Sequence, residues 1–249
     1  MPPKLQNKIK IEWSTNFAYA IGLIASDGCL NKDGRHISFC SKEQEMMDNF
    51  KQALSLSNKV GKYSRGGETE KRYFRINFGD KNFYKFLNSI GLTTAKSKTI
   101  KSVTIPDKSF ADFLRGLFDG DGSFYSFWDK RWPNSFCFKI FFYSASREFL
   151  VWLQNRLNKL YGVKGVLRNH KSAGVYGIQY VKGASSKLFN IMYAQDGILY
   201  LKRKYDKIKN TIEFDNKIKL RLPELKSFRL TQTYASVAHW QSVALKRQA

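Results

Sequence analysis

The chain of 249 residues carries 43 Lys and Arg against 20 Asp and Glu, a formal net charge of +23, and 43% of it is hydrophobic and 15% aromatic. Such apolar content excludes a disordered tail, and at ~150 residues per domain the length fits one large domain or two small ones. A basic surplus of this size repels itself unless a polyanion sits beside it, so nucleic acid is the expected partner. No run approaches the ~18 apolar residues of a membrane span, and residues 1–10 lack the apolar stretch of a signal peptide, so the chain is expected to work inside a cell or organelle and not to be secreted. Cys29, Cys40 and Cys137 show no CxxC spacing, and His36, His170 and His239 are scattered, which points to structural thiols and away from a zinc centre.

In chain order, a helix is expected to start after Ser14 or Thr15 and run about three turns into an Asp27-Gly28 stop. A strand over 36–40, a helix opening at Ser41, a basic hairpin over 59–79 and a helix over 81–90 follow, then Lys96-Ser-Lys98. Residues 100–108, with Pro106, read as a linker. The same order then repeats: a helix after Ser109 into Asp121-Gly122, a strand over 136–142, a helix opening at Ser144, a hairpin over 163–182, a helix over 184–194 and Lys202-Arg-Lys204. Gly22 matches Gly116, Leu23 matches Leu117, Asp27 matches Asp121 and Gly28 matches Gly122, all at one constant shift. The reading is an α+β chain of two αββαββα halves, 1–99 and 109–214, with a tail over 215–249 of unassigned role.

The two matching helices carry small residues at i and i+4, Gly22 with Ser26 and Gly116 with Gly120, which lets them pack backbone against backbone. Each ends in an acid. If a pseudo-two-fold axis relates them, Asp27 and Asp121 arrive side by side at the negative ends of two helix dipoles, an arrangement that calls for a cation. A hard divalent ion, Mg²⁺ foremost, binds one or two carboxylates together with water and phosphate oxygens.

The segments Ala20-Ile-Gly-Leu-Ile-Ala-Ser-Asp-Gly28 and Leu114-Arg-Gly-Leu-Phe-Asp-Gly-Asp-Gly122 resemble the paired motifs of the LAGLIDADG homing endonuclease family, over roughly residues 12–212. The resemblance implies a monomer of two pseudo-symmetric halves joined through the motif helices, their antiparallel sheets forming a DNA-binding saddle. It implies metal-dependent hydrolysis of both strands of a long, partly palindromic duplex. Asp27 and Asp121 would be catalytic metal ligands, with the carbonyls of Ser26 and Gly120 beside them. Mn²⁺ would substitute for Mg²⁺, and Ca²⁺ would bind without supporting cleavage. The family's basic residue at the end of the last helix of each half is matched here by Lys96 and Lys202, with Lys98 and Lys204 as near misses. A splicing maturase acting on host intron RNA, or a DNA-binding regulator, is the alternative on the same fold, and the presence of both acids argues for cleavage.

Alternation along the hairpins sets Tyr73, Arg75 and Asn77 on one strand face, with Gly177 and Gln179 in phase in the second half. Arg, Asn and Gln are the side chains that bond purine edges in the major groove. Asn31, Lys32, Arg35, Lys62, Arg65, Lys71, Lys130, Arg131, Lys139, Arg168, Asn169 and Lys171 complete the expected DNA contacts, several of them to phosphate alone.

Overall fold

The computed structural model describes residues 9–64, 70, 72–132, 135–170 and 174–219. Arg65, Lys71 and Lys171 lie outside the described residues. The described residues fall into two units divided after Asp206, and in the second of these residues 207–219 are helical.

The first half runs α1 (Thr15–Asp27), β1 (Gly28–Leu30), β2 (His36–Ser41), α2 (Gln44–Ala53), β3 (Val60–Tyr63), β4 (Tyr73–Gly79) and α3 (Lys81–Ser89), followed by a single turn, α4 (Lys96–Thr99). The second half repeats this as α5 (Phe110–Asp121), β5 (Gly122–Trp128), β6 (Phe136–Ser144), α6 (Arg147–Tyr161), β7 (Val166–His170), β8 (Val175–Val181) and α7 (Lys182–Met192). Each half builds a four-stranded antiparallel sheet, in the orders β1-β2-β4-β3 and β5-β6-β8-β7. The sheets are the same arrangement drawn twice, as the repeat in the sequence requires.

Local chemistry sets the helix ends. Ser14, not Thr15, caps α1, its Oγ accepting from the Phe17 N–H at 3.2 Å. The helices expected at Ser41 and Ser144 begin later: Ser41 Oγ takes the Glu43 N–H ahead of α2, and the α6 cap is Ser146, which accepts from Phe149. Gly28 and Gly122 end their helices with ordinary extended backbone, not in the left-handed turn typical of helix-ending glycines. They are glycines because a Cβ would lie 2.7 Å from the Ile24 oxygen in the first case and 2.5 Å from the Phe118 oxygen in the second.

The molecule is organised around α1 and α5. Phe17 through Ala25 are buried without interruption, which suits a helix walled in on all sides. At the crossing, a Cβ on Gly22 would sit 2.2 Å from the Phe113 oxygen, and one on Gly116 would sit 2.1 Å from the Tyr19 oxygen. Position 19 corresponds to 113 in the repeat, so the two clashes are one contact seen from either side of the pseudo-two-fold axis.

Each half also reaches into the other. The linker crosses to α6, where Ile100 O accepts from Ser146 Oγ and Arg156 bonds Ile105 O and Asp107. In mirrored fashion, residues 200–203 cross to α2: Asn49 Nδ2 donates to Tyr200 O at 2.9 Å, and Arg203 pairs with Glu43. The halves are therefore joined by two backbone exchanges as well as by the helix pair.

Candidate active site and nucleic-acid face

The C-terminal ends of α1 and α5 meet where one side chain has room and two do not. Ser26 and Gly120 are symmetry counterparts, and a Cβ on Gly120 would fall 1.9 Å from Ser26 Oγ and 2.8 Å from Asp27 Oδ2. The missing side chain at 120 is what lets the Asp27 carboxylate lie over the end of the partner helix, next to Asp121. Asp27 is half-buried and Asp121 reaches solvent. Burial around its carboxyl nevertheless pushes the Asp121 pKa up, with the Lys96 and Lys204 ammoniums pulling it back. Beside the pair opens a cavity of about 580 Å³ lined by Ser26, Asp27, Gly120, Lys96, Tyr63 and Tyr73 among others.

Two lysines cap the motif helices. The last carbonyls of a helix have no intrahelical donor and carry the negative end of its dipole, so a buried cation suits them. Lys96 Nζ donates to Ser26 O at 3.0 Å. Burial lowers the pKa of Lys96, while Asp121 and Asp27 both raise it, so one amine feels both acids. In the second half the equivalent amine belongs to Lys204, whose Nζ reaches Phe118 O at 2.7 Å, Asp119 O at 2.8 Å, Gly120 O at 3.2 Å and Gly122 O at 2.7 Å. Its pKa is pulled down to about 8, chiefly by burial.

Lys202, the position matched from the sequence, stands elsewhere. It is exposed and its Nζ bonds Asp206 Oδ2 at 2.6 Å. Neither Lys96 nor Lys202 ends the last helix of its half. Lys96 opens the separate turn α4, and Lys202 opens a new helical segment. Lys204→Met is expected to cost about 1–3 kcal/mol by stranding the carbonyls its amine now satisfies, and Lys202→Ala to leave the denaturation midpoint unchanged. Urea unfolding of the two variants, read side by side, checks the assignment.

A hard cation fits the donors gathered here: two carboxylates and the Ser26 and Gly120 carbonyls, all oxygen, with the bare Gly120 letting Ser26 and the Asp27 carboxylate close over the end of α5. No cluster of three or more His, Cys, Asp or Glu that could hold a metal ion occurs among the described residues. The cysteines are free, and Cys29 is exposed on the cavity wall beside Asp27, not buried in the core.

Below the acids lies a buried polar lock that sequence reading did not identify as a unit. Asp119 is fully buried, and its Oδ2 accepts from Tyr19 Oη and from Leu201 N, each at 2.8 Å. Arg115, also buried, donates through Nε to Leu199 O and through Nη1 to Met192 O and Asp112. The pair is asymmetric within the repeat: Tyr19 and Asp119 correspond to Phe113 and Ala25, so hydroxyl and acceptor are both present on one side of the axis and both missing on the other.

Burial raises the Asp119 pKa to about 6, against opposing pulls from Tyr19, Lys204, Leu201 and Arg115. A carboxyl whose folded pKa is raised contributes stability that is complete below the unfolded value of 3.8 and lost as pH rises through about 6. Asp119→Asn removes that titration. Relative to wild type, its free energy of unfolding in urea is expected to improve from pH 4 to pH 7, by up to roughly 3 kcal/mol; an unchanged difference across that range would contradict it.

The sheets place the remaining candidates. On the first sheet Cys29, Ser38, Cys40, Tyr73, Arg75 and Asn77 share the face opposite the core, by the registers Cys29↔Ser38, Ser38↔Asn77 and Cys40↔Arg75. Lys62 is opposite Phe74, and its ammonium lies 5.7 Å from that ring, so it stands on the other face from Arg75. Asn31, Lys32 and Arg35 occupy the β1–β2 turn, and Lys130 and Arg131 the matching β5–β6 turn, where Arg131 pairs with Asp129 at 2.9 Å. On the second sheet Lys139, Gln179 and Arg168 share the open face, whereas Asn169 pairs with Tyr176 on the reverse.

The LAGLIDADG-like domain family model matches this chain twice, over residues 14–91 and 110–191. No curated protein matches it by sequence. Among solved structures, the homing endonuclease I-WcaI bound to its DNA recognition sequence is similar at 15% identity and a TM-score of 0.55, covering 80% of this chain and 88% of that one. Full-length DUF199/WhiA from Thermatoga maritima is similar at 16% identity and a TM-score of 0.50, over 91% of this chain and 72% of that one. I-DmoI in complex with DNA and Mn aligns at 18% identity and a TM-score of 0.46, over 73% and 98%. With the motif helices crossed at Gly22 and Gly116, two equivalent sheets and a family match over both halves, the chain belongs to the LAGLIDADG family, as a single polypeptide carrying two copies of its domain.

Proposed function

We propose that this protein is a site-specific double-strand DNA endonuclease that works as a monomer. The observation that carries the reading is the pair of acids delivered to one point by crossed helices whose ends are capped by the buried amines of Lys96 and Lys204. A protein that only bound DNA would gain nothing from two carboxylates facing a polyanion. I-WcaI, which shares the fold, is a homing endonuclease that has been seen on its recognition sequence, and the same use of the fold is inferred here.

Mg²⁺ held by Asp27 and Asp121, with the Ser26 and Gly120 carbonyls adjacent, would stabilise charge on the scissile phosphate and lower the pKa of a bound water. The chain's own part is to hold those oxygens still. Lys96 and Lys204 fix the carbonyls and offset the negative helix ends, and the Ser26–Gly120 contact fixes the spacing of the two acids. Arg75, Asn77 and Gln179 stand on open strand faces where they can bond base edges, while turn cations such as Lys32, Arg35 and Lys130 are placed to meet phosphates. Two non-identical faces suit a target that is only partly palindromic.

The test uses DNA made by joining the two sequences that flank the reading frame. Purified protein is expected to make one double-strand cut in it with Mg²⁺ and none with EDTA. No cut with either Mg²⁺ or Mn²⁺ would overturn the proposal.

A further inference from the structure

The open faces of the two sheets differ in how much exposed ring surface they carry. On the first, Arg75 and Asn77 supply hydrogen-bonding groups beside the rings of Tyr63 and Tyr73, and Ser38, on the same face, is covered. On the second, Lys139, Gln179 and Arg168 stand among a larger set of rings: Tyr125 and Phe127 on β5 are 53% and 40% exposed, and Phe141 and Tyr143 stand beside them on β6, by the registers Ser123↔Phe141 and Tyr125↔Lys139. Exposed apolar surface on one face of a folded domain marks a binding site more often than an accident. Lys139 lies 5.3 Å from the Phe127 ring centroid, so positive charge borders the rings, as contact with a polyanion requires. The surface is continuous with the acid pair, because β5 begins directly after Asp121.

The rings are arranged against one another. Phe141 and Tyr143 are parallel with centroids 5.7 Å apart, Tyr125 meets Phe141 edge-on at 5.6 Å, and Tyr143 meets His170 edge-on at 5.7 Å. A Cβ at Gly177 would lie 2.9 Å from the Tyr143 ring and 3.1 Å from His170 Nε2, so the bare glycine is what lets these two rings close over the strand. Rings already packed against one another in this way form an apolar layer suited to the groove of a duplex, whereas unpaired bases need free ring faces to stack on. In the major groove the one apolar group that marks a base is the thymine methyl.

Resting on the endonuclease reading, we propose that the second sheet recognises its half-site through thymine methyl groups packed on Tyr125, Phe127 and Phe141, while the first sheet reads by hydrogen bonds. At ~3.3 Å per strand residue, Tyr125 and Phe127 lie ~13 and ~20 Å along β5 from Asp121. At ~3.4 Å per base pair, that places the critical thymines about four to six base pairs from the cut on one side.

The experiment replaces thymine by deoxyuridine, which removes only the methyl, separately in each half of the cleaved target. Affinity is measured by mobility shift with the intact chain, with Ca²⁺ in place of Mg²⁺. Uracil in the half-site of the second sheet is expected to weaken binding about fourfold per contacted methyl, and uracil in the other half to change it less than twofold. The double variant Y125S/F127S, altered only at exposed positions, is expected to keep thymine–uracil discrimination only at the position packed on Phe141 and to lose it at the others. Indifference to uracil in a target that is still cut would overturn this proposal alone, as would equal losses in both halves. Binding of the single strand that falls with Y125S/F127S would replace it with a base-stacking platform. Failure to cut the unmodified target would overturn the endonuclease reading and this one with it.

Discussion

Asp27→Asn, and separately Asp121→Asn, is expected to lower double-strand cleavage by at least about two to three orders of magnitude while leaving DNA affinity within about threefold of wild type. The asymmetry follows from where the carboxylates stand. They lie at the ends of α1 and α5, on the Ser26–Gly120 contact, whereas the residues suited to holding DNA stand on strands and turns of the two sheets. An amide keeps the shape but loses the charge that holds a hard divalent ion, and several kcal/mol of transition-state stabilisation is lost with it. Removing a negative charge from a surface that meets phosphates also removes repulsion, so binding is expected to hold or tighten slightly. Single-turnover cleavage and mobility shifts on the same preparations separate the two effects. Full cleavage by either variant would end the assignment, and loss of binding together with cleavage would mean that the acids support the fold.

Gly116→Ala carries the largest expected structural effect. Its Cβ would meet the Tyr19 oxygen at 2.1 Å and the Leu23 nitrogen at 3.0 Å, both backbone atoms of a helix buried on every side. No rotamer change relieves such a clash, so the helices must separate. Overpacking a rigid core costs about 1–3 kcal/mol and sometimes more. The upper end is expected here, corresponding to a fall in Tm of about 6–12 °C for a unit of this size. Because the same crossing sets the spacing of Asp27 and Asp121, cleavage should fall even at temperatures where the variant is still folded. Gly183→Ala is the comparison: it lies in α7 with nothing within 4 Å of its new Cβ, and is expected to raise stability by up to about 1 kcal/mol. Equal effects from the two substitutions would show that helix propensity, and not the crossing, dominates.

Much of this was legible in the chain. The repeat at constant shift, the Gly22 and Gly116 stripes, the acids ending both helices and the alternation in Tyr73–Gly79 each depend on residues within one element, where periodicity reports directly on which side chains share a face. The αββαββα order follows from the same signals. The position of the second lysine did not, because matching Lys96 to Lys202 assumes equal connections. The chain after α7 is longer than that after α3, so the amine that reaches α5 is that of Lys204. The faces on which Lys62 and Asn169 stand were not legible for a related reason. Alternation shows that neighbours face opposite ways, but only pairing with Phe74 and Tyr176 shows which way is outward.

The aromatic surface was hidden differently. Phe136–Ser144 is apolar on both sides, a pattern that reads as a strand buried on both faces, and nothing local marks Phe141 and Tyr143 as standing on the open one. By itself, then, the sequence determined the elements, their duplication and the two acids, since these are properties of short spacing and of composition. Tertiary structure alone decided which amine caps each motif helix, that Asp119 is locked to Tyr19 and Leu201, and that the second sheet turns Tyr125, Phe127 and Phe141 outward. Those outcomes depend on through-space contacts between residues far apart in the chain, set by how long each connection is and by which atoms the Gly22–Gly116 crossing brings within reach.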